Sequence, residues 1–581
     1  MVIPKECFHK SSRDMLRDSK NKMCLKLVLL ILIIINFVSC AIIKVDINKR
    51  ASKNVVTDKG DVKGYLAEDG DYLSFFGIPY AEPPTGTNRF KASLPRKPWN
   101  ETLEATRKIK CAQMGIGEED CLVVNVFTPT DVKNTLLPVI VFFHGGSFII
   151  GSAYTSGFYP IVSKDVIVVT VNYRLGVFGF LCLGVEDAPG NAGLKDQVLA
   201  LQWVQNNIKA FGGNPSAVTI YGLSAGSSSV EYLLLSNKAK GLFKRGIMES
   251  ASALSVFSTV VDPIASAVSV ASALRFPNLA DVNELISQYQ TVSAEELSAV
   301  SYEFYTTGLN NGNFGFAPCI EKPINNVDPF ITKSPIEIIR KGKFDRVPLL
   351  FSYTSAEGLY LNSEKFYEED YAVEMNENFA DFMPHDLIFD TDAIKRRVAE
   401  NVKSFYFGND TISEDTKLQF LNFFGDYYIL YPMMNSLALH VAKNKVPIYL
   451  FEFAYKGNLG SEEKFYEDIK LAGHGDIAKH AFLNKPISNN EDQLAVDRVS
   501  TIIANFAKSG NPLPEPTKYL NVTWPPIRSN TFPYIYIDND VQIRQNPYQE
   551  RINIWDDLYK KYRKPIFQVD PYKELQLTQK N

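Results

Sequence analysis

The chain is 581 residues long, 45% apolar and 12% aromatic, with a formal net charge of −4. This is enough apolar material for a large packed core, which excludes a disordered protein. No basic block interrupts the body of the chain, which excludes the electrostatic footprint of a nucleic-acid binder.

Residues 1–26 hold seven Lys/Arg and three Asp/Glu. They precede Leu27–Val38, an apolar run of about twelve residues where a spanning helix needs roughly 20. Small residues follow at Ser39, Cys40 and Ala41. The pattern predicts a secretory leader cleaved near Ala41; the alternative is an uncleaved signal anchor. The basic stretch is long for a leader, and Met23 alone would open an ordinary one, so Met23 is a second candidate start. No linker, charge run or repeat divides residues 60–565. The expected layout is residues 1–41 as extension plus leader and 42–581 as one α/β domain.

Sequons at Asn100, Asn409 and Asn521 become glycosylation sites if the chain enters the secretory pathway. Beyond the leader, Cys111 and Cys121 bracket nine residues and can close a small disulfide loop. Cys182 (GFLCLG) and Cys319 (FAPCIE) sit in apolar settings and read as buried free thiols, with a bridge left open. The last residues, LTQKN, form neither an apolar tail nor a retention signal. The expectation is a secreted protein with no membrane span once the leader is removed.

Val139–Phe143 (VIVFF) and Val166–Val171 (VIVVTV) are continuous β-branched and aromatic runs, as strands buried on both faces require. Val218–Tyr221, Pro348–Tyr353 and Pro447–Phe453 are further strand candidates. Leu194–Ala210 and Asp492–Ala507 carry apolar residues at helical spacing and end at glycine and proline stop signals. Strands alternating with helices imply a mostly parallel sheet. Residues 255–345 and 360–440 are less regular and read as helical insertions over the site.

The chemistry centres on Gly222-Leu223-Ser224-Ala225-Gly226, directly after the run Val218–Tyr221. A G-x-S-x-G frame after a strand presents a nucleophilic serine on a sharp strand-to-helix turn. A serine hydroxyl needs a base, usually His, and a carboxylate to orient that base. Six histidines allow elimination. His9 lies in the leader, and His385 in a polar stretch without glycines. His440 and His480 fall in helical patterns, with His480 the second candidate base, and His144 is followed by glycines that suggest a backbone role. His474, in Ala472-Gly473-His474-Gly475-Asp476, is flanked by glycines that put it on a loop. Glu357 follows the PLLFSY strand by four residues, where active-site groups of open α/β sheets gather. The order Ser224, Glu357, His474 is that of an α/β-hydrolase. His144-Gly145-Gly146-Ser147-Phe148 follows the strand VIVFF and supplies a candidate oxyanion loop, with N–H donors expected from Gly146, Ser147 and Ala225.

These blocks together closely resemble the carboxylesterase/cholinesterase family (carboxylesterase type B). The resemblance extends over nearly the whole mature chain, through Tyr72–Phe90, Glu119–Pro129, Asn172–Leu181, Gly190–Trp203 and Phe211–Gly226. It implies an α/β-hydrolase fold with Ser224 as nucleophile, Glu357 as acid, His474 as base and a Cys111–Cys121 disulfide. Three departures stand out. Leu223 occupies the position where the family usually has Glu. The loop between Cys111 and Cys121, AQMGIGEED, is short and lacks a choline-binding Trp. Residues 255–300 hold no cysteine for the family's second disulfide.

The expected function is a secreted serine carboxylesterase acting on small esters through an acyl-enzyme, without metal or cofactor, and not on choline esters. Two other readings share the fold: a non-catalytic, neuroligin-like adhesion protein, and a lipase.

Overall fold

The computed structural model describes residues 50–131, 135–154, 157–361, 371–460, 469–483, 485–528 and 531–566. The expected leader, residues 1–41, lies outside them. The chain divides into a leading unit, residues 1–53, and a body, residues 54–581. Among the described residues no helix is long and apolar enough to cross a membrane.

The apolar runs form the centre of one sheet. Across the body its strands run Asp61–Leu66, Tyr72–Pro79, Val123–Pro129, Ile167–Val171, Leu137–Phe143, Gly213–Leu223, Arg245–Glu249, Leu349–Thr354, Ile448–Phe453, Pro533–Ile537 and Val541–Gln545. From Ile167–Val171 to Pro533–Ile537 every neighbouring pair is parallel. Pairing is antiparallel at both ends. Strands buried on both faces have no room for alternation, which is why they read as uninterrupted Val, Ile and Phe. All five strand candidates are strands of this sheet.

The helix Ala192–Asn207 continues into a 3₁₀ turn, Ile208–Phe211, and stops at Gly212 with φ 89°. The helix Asn490–Ser509 starts at Asn489, whose side chain accepts the Asp492 N–H at 2.7 Å, and ends at Gly510 with φ 78°. The insertions are helical. The first contributes Pro263–Ala273, Val282–Thr291 and Ala294–Thr307; the second contributes Asp392–Phe407, Lys417–Gly425 and Tyr431–Lys443.

Polar residues within the recurring motifs lock these parts together. Asn172 donates to the carbonyls of Ile109 and Cys121 at 3.0 and 3.1 Å, and accepts the Ala153 N–H at 2.7 Å. Arg174 grips Asp196 with bonds of 2.8 and 2.7 Å in the buried core. Arg89 is bidentate to Glu119, at 2.8 Å twice, and donates to the carbonyls of Tyr289 and Val292 in the first insertion. Bidentate guanidinium–carboxylate geometry satisfies buried charge and holds its direction.

One expectation is corrected. Cys182 and Cys319 are not free thiols but a disulfide, with Cα atoms 6.6 Å apart. Their apolar settings concealed the pairing, because the two residues are 137 positions apart. Asn191 brings Cys319 in: its Nδ2 donates to the Cys319 carbonyl and its Oδ1 accepts the Cys319 N–H, both at 2.9 Å. The second disulfide, Cys111–Cys121, closes the short loop as the resemblance implies. Closing a long loop removes much unfolded-state entropy. Replacing both Cys182 and Cys319 with Ser should therefore cost on the order of 2–4 kcal/mol in urea unfolding.

Candidate active site

The site begins as a backbone problem. The strand Gly213–Leu223 ends at Leu223 and the helix Ala225–Leu235 starts at Ala225, so Ser224 alone makes the turn. It does so at φ 57°, ψ −123°, a conformation that costs a non-glycine residue on the order of 1–3 kcal/mol. The flanking glycines make it possible. A Cβ on Gly222 would overlap the Gly226 carbonyl, and one on Gly226 would overlap the Phe143 carbonyl. The Ser224 N–H is held by the Glu249 carbonyl at 2.8 Å, and the Ser224 carbonyl accepts the Ser228 N–H at 3.0 Å. Strain is thus stored against a rigid frame, with the serine at the positive end of an eleven-residue helix.

Of the described histidines, the structure brings one to a buried carboxylate on a neighbouring active-site loop. His474 Nδ1 donates to Glu357 Oε2 at 2.6 Å, which orients the imidazole. Glu357 is aimed by two further bonds: its Oε1 accepts the Ser250 hydroxyl at 2.6 Å and the Thr354 N–H at 2.7 Å. The two loops are stapled directly, with the Ala356 N–H on the Ala472 carbonyl at 2.9 Å and the Ala472 N–H on the Ser355 hydroxyl at 3.1 Å. Asp476 closes the histidine turn by accepting the Gly473 N–H at 2.8 Å. Gly475, with φ 80°, packs towards the Leu223 side chain, which puts the turn beside the serine elbow.

The other described histidines are structural. His144 is buried, stacks on Tyr173 at 4.5 Å and has Nδ1 2.8 Å from the Gly145 carbonyl; burial pushes it down to about 4, so it stays neutral. His440 meets Glu231 at 2.8 Å inside the core. His480 lies with Nδ1 2.7 Å from the Asp476 carbonyl, and burial lowers its pKa. His385 lies beside the Asn311 carbonyl at 3.3 Å.

The glycine loop after Phe143 lies against the elbow: a Cβ on Gly145 would approach the Leu223 carbonyl to 2.8 Å. Ser147 and Phe148 both take left-handed backbone, at φ 56° and 63°. Ser147 therefore occupies a glycine-like conformation despite its Cβ. The N–H groups of Gly146, Ser147 and Ala225 have no backbone acceptor among the described residues. The loop is tied down from outside by Gln113, which exchanges two bonds of 2.8 Å with Gly151. Gln113 lies inside the Cys111–Cys121 loop, so that small disulfide braces the donor loop.

A serine on a strained elbow, a carboxylate-held imidazole and a bank of N–H donors form a constellation suited to acyl transfer. The carboxylesterase family model matches residues 51–555. The chain belongs to the carboxylesterase family. It is a carboxylic ester hydrolase of the α/β-hydrolase fold. It is 33% identical over 543 residues to a carboxylic ester hydrolase of Bombus ignitus, covering 88% of this chain and 95% of that one. It is 32% identical over 504 residues to a juvenile hormone esterase of Tribolium castaneum, covering 81% and 85%. Among solved structures it matches the juvenile hormone esterase of Manduca sexta with OTFP covalently attached, at a TM-score of 0.77 and 29% identity, covering 88% of this chain and 100% of that one.

Sequence reasoning did not find Ser250, which aims Glu357, or Glu249, which holds the Ser224 backbone. The available signal was a carboxylate closing the otherwise apolar run Gly246–Met248. Two substitutions test the backbone argument. Gly226→Ala should lower kcat/KM by about 100-fold, because the elbow must shift to admit the Cβ. Ser147→Gly should keep kcat/KM within about threefold, because the donor N–H remains and the left-handed φ suits glycine.

Proposed function

We propose that this carboxylesterase acts through Ser224, His474 and Glu357. Ser224 Oγ attacks the ester carbonyl while His474 Nε2 takes the hydroxyl proton. The tetrahedral oxyanion is met by the N–H groups of Gly146, Ser147 and Ala225. His474 then passes its proton to the leaving alcohol as the C–O bond breaks, which leaves an acyl group on Ser224. Water, deprotonated by His474, releases the acid. Glu357 keeps its charge throughout and stabilises the imidazolium. The observation that carries this reading is the 2.6 Å bond between His474 and a Glu357 whose other oxygen is already held by Ser250 and Thr354. The covalent adduct on the Manduca sexta esterase supports covalent chemistry on this scaffold.

The substrate is an uncharged small ester rather than a choline ester. The short loop Cys111–Cys121 carries no Trp for a cation–π contact. Work in an oxidising compartment accounts for two disulfides in one chain. Export also accounts for the exposed sequon residues Asn100, Asn409 and Asn521, the proposed glycosylation sites.

A fluorophosphonate probe is expected to modify Ser224 alone, as read by peptide mass mapping, and Ser224→Ala should abolish labelling and short-chain ester hydrolysis together. Folded wild-type protein that stays unlabelled would return the chain to the adhesion reading. Terminal sequencing of exported material should find a start near Ala41.

A further inference from the structure

Glu249 ends the strand Arg245–Glu249 and has no part in the acyl transfer described above. Its side chain is fully buried, yet no cation pairs with it among the described residues. Its carboxyl spans two segments of the site. Oε2 accepts the hydroxyl of Tyr221, on the strand that runs into Ser224. Oε1 accepts the N–H of Ala478 at 3.1 Å, on the helix Asp476–Ala481 that starts two residues after His474. The Glu249 carbonyl holds the Ser224 N–H, and the next residue, Ser250, holds Glu357. Two consecutive residues therefore contact all three segments of the triad.

Packing alone does not account for a carboxyl here. A glutamine would keep the Ala478 bond through its carbonyl oxygen and span to Tyr221 with the bond reversed, its amide donating to the phenol oxygen, all without a buried charge, and an unpaired buried carboxylate is costly. We propose that Glu249 is a positioning residue: its carboxyl clamps the helix after His474 to the strand before Ser224, and its charge state sets how firmly. This rests on the triad reading above.

The groups facing it decide when it charges. Tyr221 faces it from the neighbouring strand, Glu357 from the acid loop, and Asp476 from the helix, with Asp476 itself 3.0 Å from Lys479. Burial pushes the Glu249 carboxyl up to about 8; Glu357 and Asp476 push the same way, against the Tyr221 hydroxyl and the Ala478 N–H. Above that pH both clamp bonds become charge-assisted. A second negative charge near Glu357 then also favours the imidazolium formed in the transition state.

The stability consequence has a definite sign. Between the ordinary value of 4.5 and about 8, the unfolded chain releases this proton and the folded one keeps it. Glu249 therefore stabilises least at high pH, and its contribution falls as pH rises through that window.

The test is kcat and KM against pH for a soluble short-chain ester, with wild type, Glu249→Gln and Glu249→Leu. Wild-type kcat should rise a second time around pH 8, separately from any rise at lower pH, by about threefold at constant KM. Glu249→Gln should lose that second rise, keep any rise at lower pH, and gain Tm over wild type as pH goes from 5 to 9. Glu249→Leu, which removes the clamp, should lose about tenfold in kcat with KM unchanged. The proposal is overturned if the Gln variant keeps the second rise, or if the Leu variant keeps wild-type kcat. Fluorophosphonate labelling of each variant separates the two failures. Labelled Ser224 with an unchanged profile sinks the clamp alone, whereas an unlabelled wild type removes the triad on which it rests.

Discussion

The site depends on a backbone that turns from strand to helix in one residue. Ser224 can hold φ 57° only because no Cβ exists at Gly222 or Gly226, and because the Glu249 carbonyl takes its N–H. The strain cannot relax, since the strand Gly213–Leu223 lies between two parallel neighbours and the helix behind it is buried. A sheet edge or a free loop would not have borne it. The same turn sets Ser224 at the N-terminus of the helix Ala225–Leu235.

Around that turn the remaining parts are held by short cross-links rather than by bulk packing. The acid loop and the histidine loop share backbone bonds at Ala356 and Ala472. The donor loop is braced by Gln113 from the small disulfide loop. Residues 249 and 250 reach the serine, the acid and the helix after the histidine. Each link joins segments far apart in the chain, so precise placement at the site follows from the sheet and its covering helices.

Much of the site was legible in the sequence because the requirement is local. Glycines on both sides of Ser224 and His474 announce turns whatever the rest of the chain does. Elimination among the histidines rested on the same local signal: His440 and His480 lie in helices, whereas the GHG loop is not helical. The apolar runs gave the strands, because a parallel sheet covered on both faces demands them. The left-handed backbone of Ser147 was not legible, since nothing local distinguishes a serine at φ 56° from one at negative φ.

The sequence by itself determined the strand runs, the elbow and the glycine loops, since each depends on residue type within a few positions. Only the tertiary structure decided what meets across the fold. It paired Cys182 with Cys319, it chose Glu357 among many carboxylates by placing His474 on it, and it buried Glu249 beside two other acids. Glycine turns and apolar strand runs are signalled by neighbours in the chain, whereas disulfide partners, burial and charge environment are set by neighbours in space. Those neighbours lie up to 137 residues away for the cysteines and 117 for the acid and its histidine, beyond the reach of local pattern.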